Sequence, residues 1–128
     1  MNVQEAIDAA ELVLPGKAAP DGSDDPRWQS IIAVGEFIEG APGPVWEFIK
    51  RWGVHADDDL RMAIATCLLE HLLESHFEAF FPHVQEQVRA NRMFAGTFRN
   101  CWKFGQSEAP ANAERIDALR REASELAG

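Results

Sequence analysis

The sequence contains no tyrosine and only two cysteines, although it has eight phenylalanines and four tryptophans. Cys67 and Cys101 both fall within apolar helical patterns, a setting typical of reduced, buried thiols rather than of a disulfide framework. No apolar stretch approaches the ~20 residues that are needed to cross a bilayer. The early acids Glu5 and Asp8 argue against a secretory signal. These absences predict a cytoplasmic protein without a membrane segment.

Signatures of catalysis are also missing. The sequence has no nucleophile elbow, no glycine-rich phosphate loop, no Cys-x-x-Cys pair and no His-Glu-x-x-His motif. The alternation of apolar and polar residues that is typical of strands is absent as well. We therefore expect an all-α protein without a cofactor, for which a binding role is favoured over an enzymatic one.

Charge is distributed unevenly along the chain. Residues 1–60 carry a net charge of −8, residues 61–105 carry +1 and residues 106–128 carry −2. An acidic protein repels phosphate at long range, which disfavours general nucleic-acid binding. The charge fits a basic protein partner, although solubility alone is a sufficient explanation of it.

Helical patterns cover most of the chain. The first helix is expected to end at Pro15-Gly16, before a Pro-, Gly- and Asp-rich loop at 17–23. The second helix begins with Asp25 as N-cap and Pro26 at its first position. Further helices are predicted over 44–52, 58–75, 82–90, 92–104 and 113–126.

Two of these helices carry informative apolar patterns. The helix from Asp58 to Ser75 is apolar almost all the way round as far as Leu73, so it must pack between other helices. The second helix carries two apolar faces, one formed by Trp28, Ile31, Ile32, Gly35 and Ile38 and a second formed by Val34 and Phe37.

Residues 34 positions apart hint at internal repetition, as in Arg27 with Arg61 and Cys67 with Cys101. The segment Asp59-Leu60-Arg61-Met62-Ala63-Ile64-Ala65-Thr66-Cys67-Leu68 resembles the second helix of a HEAT repeat, in which an Asp precedes an apolar residue and an Arg. Asp25-Pro26-Arg27-Trp28 is a looser match. The resemblance covers about half of the chain, and its first and last helices depart from the pattern.

The resemblance implies a short right-handed α-solenoid, a HEAT-like stack of about six to seven antiparallel helices with a binding face. The expected layout is a single helical domain over 1–128. Within it, 1–24 forms an N-terminal helix and loop, 25–105 a HEAT-like core, and 106–128 a loop and capping helix.

Acidic and aromatic side chains are the first candidate binding residues. Asp57, Asp58 and Asp59 could cover the basic active site of a partner, as an immunity- or antitoxin-like inhibitor would. The same residues are also sufficient as helix caps. Trp46 lies off the apolar stripe of its own helix, which makes it a candidate anchor, although burial against a neighbouring helix is the more frequent outcome.

A basic stripe offers a second candidate surface. Arg89, Arg92, Arg99 and Lys103 fall near one face of a helix, opposite Phe94, Phe98 and Trp102. Such a stripe could hold nucleic acid, but a solvated basic face opposite a buried aromatic face is commoner. It could also pair with the acidic N-terminal half, within one molecule or between two copies in a homodimer.

A third candidate is the cluster of His71, Glu74 and His76. His71 and Glu74 are one helical turn apart, so their side chains can touch. The spacing fits known metal-ligand geometries poorly, and no metal site is predicted. A protein-interaction module is thus the favoured function, with a metal-dependent helical protein and a nucleic-acid binder as alternatives.

Overall fold

The computed structural model describes residues 1–16 and 25–127, and these residues are helical with no strand. The helices are α1 (Val3–Val13), α2 (Pro26–Gly35), α3 (Pro42–Trp52), α4 (Asp58–Ile64), α5 (Glu70–Ala90), α6 (Arg92–Phe98) and α7 (Pro110–Ala127). A π-helical turn, Ala65–Leu69, joins α4 to α5, and a 3-10 turn, Gly105–Glu108, precedes α7. The predicted all-α class is confirmed, while the predicted loop at 17–23 lies outside the described residues. No helix in 1–16 or 25–127 combines the length and apolar character of a membrane span.

Helix starts follow the local sequence closely. The carboxylate of Asp25 accepts a hydrogen bond from the Arg27 amide at 2.9 Å and caps α2, as predicted. Asp57 caps α4 in the same way, through the amides of Asp59 and Leu60. The starts of α3 and α7 differ from the prediction, since α3 begins at Pro42 rather than Pro44 and α7 at Pro110 rather than 113.

The segment formed by α4, the π turn and the first part of α5 occupies the centre of the core. Its apolar side chains are almost completely buried, and they are Leu60, Ala63, Ile64, Ala65, Leu68, Leu69, Leu72 and Leu73. The expected enclosure holds for most of the circumference. One flank is open, because Met62 is 45% exposed and Thr66 and Cys67 are half-buried.

The buried face of α2 differs from the prediction. Ile31 and Ile38 are buried as expected, but Trp28 and Ile32 are 38% and 50% exposed. The reason is that α2 packs against α1 and the π turn through the side of the helix that carries Arg27 and Val34. These two residues are therefore buried.

α5 is interrupted directly after Ser75, where the sequence predicted the end of a helix, and it resumes ahead of Pro82, where the next helix was predicted to begin. The helix bends at His76, which has φ −137° and ψ 44°, and then runs past Pro82 to Ala90. The bend leaves a carbonyl and an amide without helical partners. The side-chain amide of Gln106 serves both, donating to the Ser75 carbonyl at 2.9 Å and accepting from the Phe77 amide at 2.9 Å.

α6 is shorter than predicted, ending at Phe98 rather than near 104. Cys101 and Trp102 form hydrogen bonds to other helices instead of continuing α6. The Trp102 amide donates to a carboxylate oxygen of Glu70 at 2.7 Å, and Arg120 donates to the Cys101 carbonyl at 2.5 Å. These tertiary hydrogen bonds take the place of helical ones, which leaves the Trp102 side chain largely exposed.

Candidate functional site

The acidic triplet divides into one structural residue and two surface residues. The Asp57 carboxylate caps α4 and also accepts a hydrogen bond from Arg27 at 3.0 Å. Arg27 is only 5% exposed, so this ion pair is largely shielded from water on its cationic side. The hydrogen bond from Arg27 lowers the pKa of Asp57 below its ordinary value.

Asp58 and Asp59 point outward at the start of α4. Asp58 forms an exposed ion pair with Arg61, one helical turn away. Arg61 also donates to the His55 carbonyl at 2.5 Å. The carboxylates of the triplet that a partner could reach are therefore those of Asp58 and Asp59, whereas Asp57 is engaged within the protein.

A groove runs between α2 and the segment formed by the π turn and α5, and we call it the α2 groove. It consists of two adjoining depressions of about 370 and 260 Å³ that share Gly35, Glu36, Ile38 and His71. The other lining residues are Ile32, Glu39, Thr66, Cys67, Glu74 and Ser75. Its wall thus combines apolar side chains with carboxylates, and no lysine or arginine lines it.

The exposed apolar side chains noted above border this groove. Trp28 and Ile32 are one turn apart on α2, and Glu36 follows one turn later on the same face. Met62 of α4 precedes Thr66 of the π turn by one turn, so Met62 and Trp28 lie one turn outside the residues that line the groove. Two rows of side chains therefore run from an exposed apolar residue to the groove, and they are Trp28–Ile32–Glu36 and Met62–Thr66.

The histidine cluster has two separate arrangements. His71 Nδ1 lies 2.7 Å from a carboxylate oxygen of Glu74, and its ring stacks on Phe104 with the centroids 5.7 Å apart. The Nε2 atom of His76 instead lies 3.0 Å from the carbonyl oxygen of Ile38. Within the described ranges no three His, Cys, Asp or Glu side chains come together as metal ligands.

Glu70 is a buried carboxylate next to this cluster. Burial raises its pKa, and the hydrogen bond from the Trp102 amide acts in the opposite direction. Cys101 donates a weak hydrogen bond to the Ala65 carbonyl, with sulfur and oxygen 3.6 Å apart. Residues 101 and 102 are thus hydrogen-bonded to the two ends of the π turn. Glu70 therefore has a structural role.

Trp46 lies in the core. Its side chain is 5% exposed and packs edge-on against Phe94, with the ring centroids 5.9 Å apart, and against Phe80 at 6.4 Å. The structure therefore gives this ring a packing role, which is the burial that the sequence pattern favoured.

The three basic candidates lie in different settings. Arg92 and Arg99 are exposed at the two ends of α6, and neither forms an ion pair with any described residue. Lys103 forms an ion pair with Asp117 of α7 at 2.7 Å. Arg89 likewise pairs with Glu122 of α7. The basic stripe therefore meets acids of the C-terminal helix rather than of the acidic N-terminal half.

Sequence analysis overlooked the carboxylates of the α2 groove, Glu36 and Glu39. The four-residue spacing of Trp28, Ile32 and Glu36 places these three residues on one helical face, and this spacing was the available signal. The face was assigned to the core because two of its members are large and apolar.

Comparisons with protein-family models, with curated proteins and with solved structures find no match to this chain. The HEAT-like resemblance, the solenoid arrangement and its handedness therefore stay predictions.

Proposed function

We propose that this protein is an interaction module that binds a basic segment of a protein partner in the α2 groove. The observation that carries the proposal is the coincidence of exposed apolar side chains with an acidic groove that no lysine or arginine lines. The proposal includes a cytoplasmic location, which the free thiols of Cys67 and Cys101 support.

The apolar part of the surface supplies the anchors. Trp28, Ile32 and Met62 are large side chains that leave substantial area in contact with water. Their burial by a partner is favourable by about 25 cal/mol per Å² of apolar area removed from water. Tryptophan and methionine are also enriched in the centres of protein interfaces.

The carboxylates supply the specificity for charge. Glu36 and Glu39 are exposed and unpaired with any cation among the described residues, and Glu74 bonds only to the ring of His71. Asp58 and Asp59 continue the negative surface along α4. Such a surface speeds the approach of a positively charged partner and excludes acidic ones.

This chemistry is suited to an inhibitor or an adaptor. An acidic protein that covers a basic active site acts by occupying the place of an anionic substrate, and it needs no catalytic group of its own. The favoured class of partner is therefore one that itself binds an anion.

A binding titration tests the proposal directly. The probe is a fluorescein-labelled amphipathic peptide of lysine and leucine, compared with a matching peptide of glutamate and leucine. We expect the basic peptide alone to bind. The double variant Glu36→Lys, Glu39→Lys should weaken binding by about tenfold or more, because close charge pairs contribute at least about 1.5 kcal/mol.

Matched controls separate the groove from overall charge. The pair Glu114→Lys, Glu125→Lys makes the same change of net charge on exposed positions of α7. Ile32→Ser should also weaken binding, whereas Leu12→Ser removes an even more exposed apolar side chain from α1 and should not. Equal losses for the two glutamate pairs, or binding of both peptides alike, would contradict the proposal.

A further inference from the structure

A polar cleft lies between the C-terminal end of α6 and the last turns of α7. Its volume is about 420 Å³, and it is lined by Gly96, Arg99, Asn100, Arg120 and Ser124. Every side chain in this wall is a hydrogen-bond donor or a cation, and no carboxylate lines it. The cleft is therefore the chemical opposite of the α2 groove.

Two guanidinium groups from different helices meet here. The position of Arg99 by itself is explained by the dipole of α6, because a cation is favourable at the negative end of a helix. Arg120 comes from the middle of α7, so no helix end accounts for it. It is the convergence of the two arginines that indicates a site for an anion.

Arg120 is held in place before any ligand arrives. One of its nitrogens donates to the Cys101 carbonyl at 2.5 Å, and its guanidinium lies 5.3 Å from the centroid of the Trp102 ring. A guanidinium has five N–H donors, so several remain for a ligand. A fixed arginine loses less conformational entropy on binding than a free one.

Acids close to the cleft are already bonded to other cations. Asp117 accepts a hydrogen bond from Lys103 at 2.7 Å, and Glu122 accepts two from Arg89 at 2.9 and 3.1 Å. Arg99 forms no ion pair within the described part of the chain. Neither Arg99 nor Arg120 forms an ion pair with a described carboxylate, although the charge of Arg120 helps to lower the pKa of Asp117.

We propose that this cleft binds the phosphate group of a small phosphorylated molecule. Planar guanidinium forks match phosphate oxygens in pairs, and the Asn100 amide and the Ser124 hydroxyl add neutral donors. The volume lies within the range of about 300–1,000 Å³ that is usual for small-molecule sites. A compact anion is favoured over a nucleic acid, because the net charge of −9 repels a long polyanion.

Isothermal titration with inorganic phosphate, adenosine 5′-monophosphate and adenosine tests the proposal. We expect both phosphates to bind and adenosine not to bind. Arg99→Ala should weaken phosphate binding by about tenfold, the equivalent of one charge-assisted hydrogen bond. Arg92→Ala removes the same charge from the other end of α6 and should change the affinity less than about twofold.

Each other outcome overturns the proposal. No heat from either phosphate at about 10 mM ligand would exclude a useful phosphate site. Equal losses for Arg99→Ala and Arg92→Ala would show a diffuse surface effect. Binding of adenosine would show that the base, and not the phosphate, is recognised. Tighter binding of a single-stranded DNA dodecamer, with a steep dependence on salt, would assign the surface to nucleic acid.

Discussion

Arg27 and Asp57 form an ion pair in which the two partners are unequally buried. Arg27 is enclosed, with its Nε atom left without a hydrogen-bond partner, while Asp57 keeps some contact with water. Asp57 also caps α4. Removing the carboxylate therefore both frays a helix and leaves a buried cation without its closest partner, and the second loss is normally the larger.

Asp57→Ala should lower the free energy of unfolding by about 2–4 kcal/mol, since the loss of the cap and the loss of the closest partner of a buried cation add together, while Asp25 stays 3.8 Å from Arg27. Asp59→Ala, an exposed neighbour without a capping bond, should change it by less than about 0.5 kcal/mol. Urea denaturation at neutral pH measures both variants. Similar losses for the two would show that Asp57 has no special structural role.

The same pair gives a pH dependence with a defined sign. The pKa of Asp57 is lowered from 3.8 in the folded protein, so its stabilising contribution is present above pH 3.8 and is lost as the pH falls through the lower folded value. The difference in unfolding free energy between wild type and Asp57→Ala should therefore shrink in acid. A constant difference down to the acid transition would contradict this.

Glu70 should behave in the opposite way. Its folded pKa is raised above 4.5 by burial, so the folded state holds this proton more firmly than the unfolded chain and stability declines as the pH rises through the raised value. Glu70→Gln keeps an oxygen for the Trp102 amide and removes the buried charge. We expect the variant to gain stability relative to wild type as the pH rises above 4.5, measured by urea titration, with Glu86→Gln on the exposed side of α5 as the matched control.

At the scale of elements, the bend in α5 depends on one amide side chain. Gln106→Ala leaves the Ser75 carbonyl and the Phe77 amide without their partners and should cost about 1–3 kcal/mol. Hydrogen exchange at the Phe77 amide should speed up more than exchange elsewhere in α5. Gln85→Ala, in the same helix and without a side-chain hydrogen bond among the described residues, is the control; equal effects would show that the bend does not depend on Gln106.

The elements that could be predicted are those decided by neighbours in sequence. Asp25-Pro26 and Asp57 begin helices because a carboxylate there binds amides two or three residues ahead. The elements that were predicted wrongly are decided by distant residues. The end of α6, predicted near 104, depends on Glu70, which binds the Trp102 amide from 32 residues away, and the way the chain continues after the bend in α5 depends on Gln106, 29 residues from Phe77. No local pattern contains such partners.

The candidate sites follow the same division. The acidic triplet was visible in the sequence, but its separation into one carboxylate paired with a buried arginine and two exposed carboxylates depended on Arg27, 30 residues away. The α2 groove was hidden because Trp28 and Ile32 have the residue types of a core face. The cleft at Arg99 and Arg120 joins two helices whose packing the sequence does not specify.

At the scale of the whole molecule, the buried apolar residues form one cluster from Ala6 in α1 to Ala123 in α7. A single contiguous core predicts one cooperative unfolding transition. Helicity followed by circular dichroism and tryptophan fluorescence, which reports on the buried Trp46, should give the same midpoint in urea. Earlier loss of part of the helicity would show that α1 or α7 unfolds separately.

The hydrogen bond from Cys101 to the π turn has a practical consequence. Cys101 is buried and its thiol pKa is raised well above normal, whereas Cys67 is half-buried beside the α2 groove. Burial raises the thiol pKa of Cys67 as well but leaves this residue partly accessible, so an alkylating reagent should modify Cys67 before Cys101, which it reaches only when the centre of the protein opens. In a Cys67→Ser variant, the rate at which Cys101 is alkylated therefore measures that opening. A ligand that stabilises the folded protein should slow this alkylation in proportion to the occupancy of the ligand.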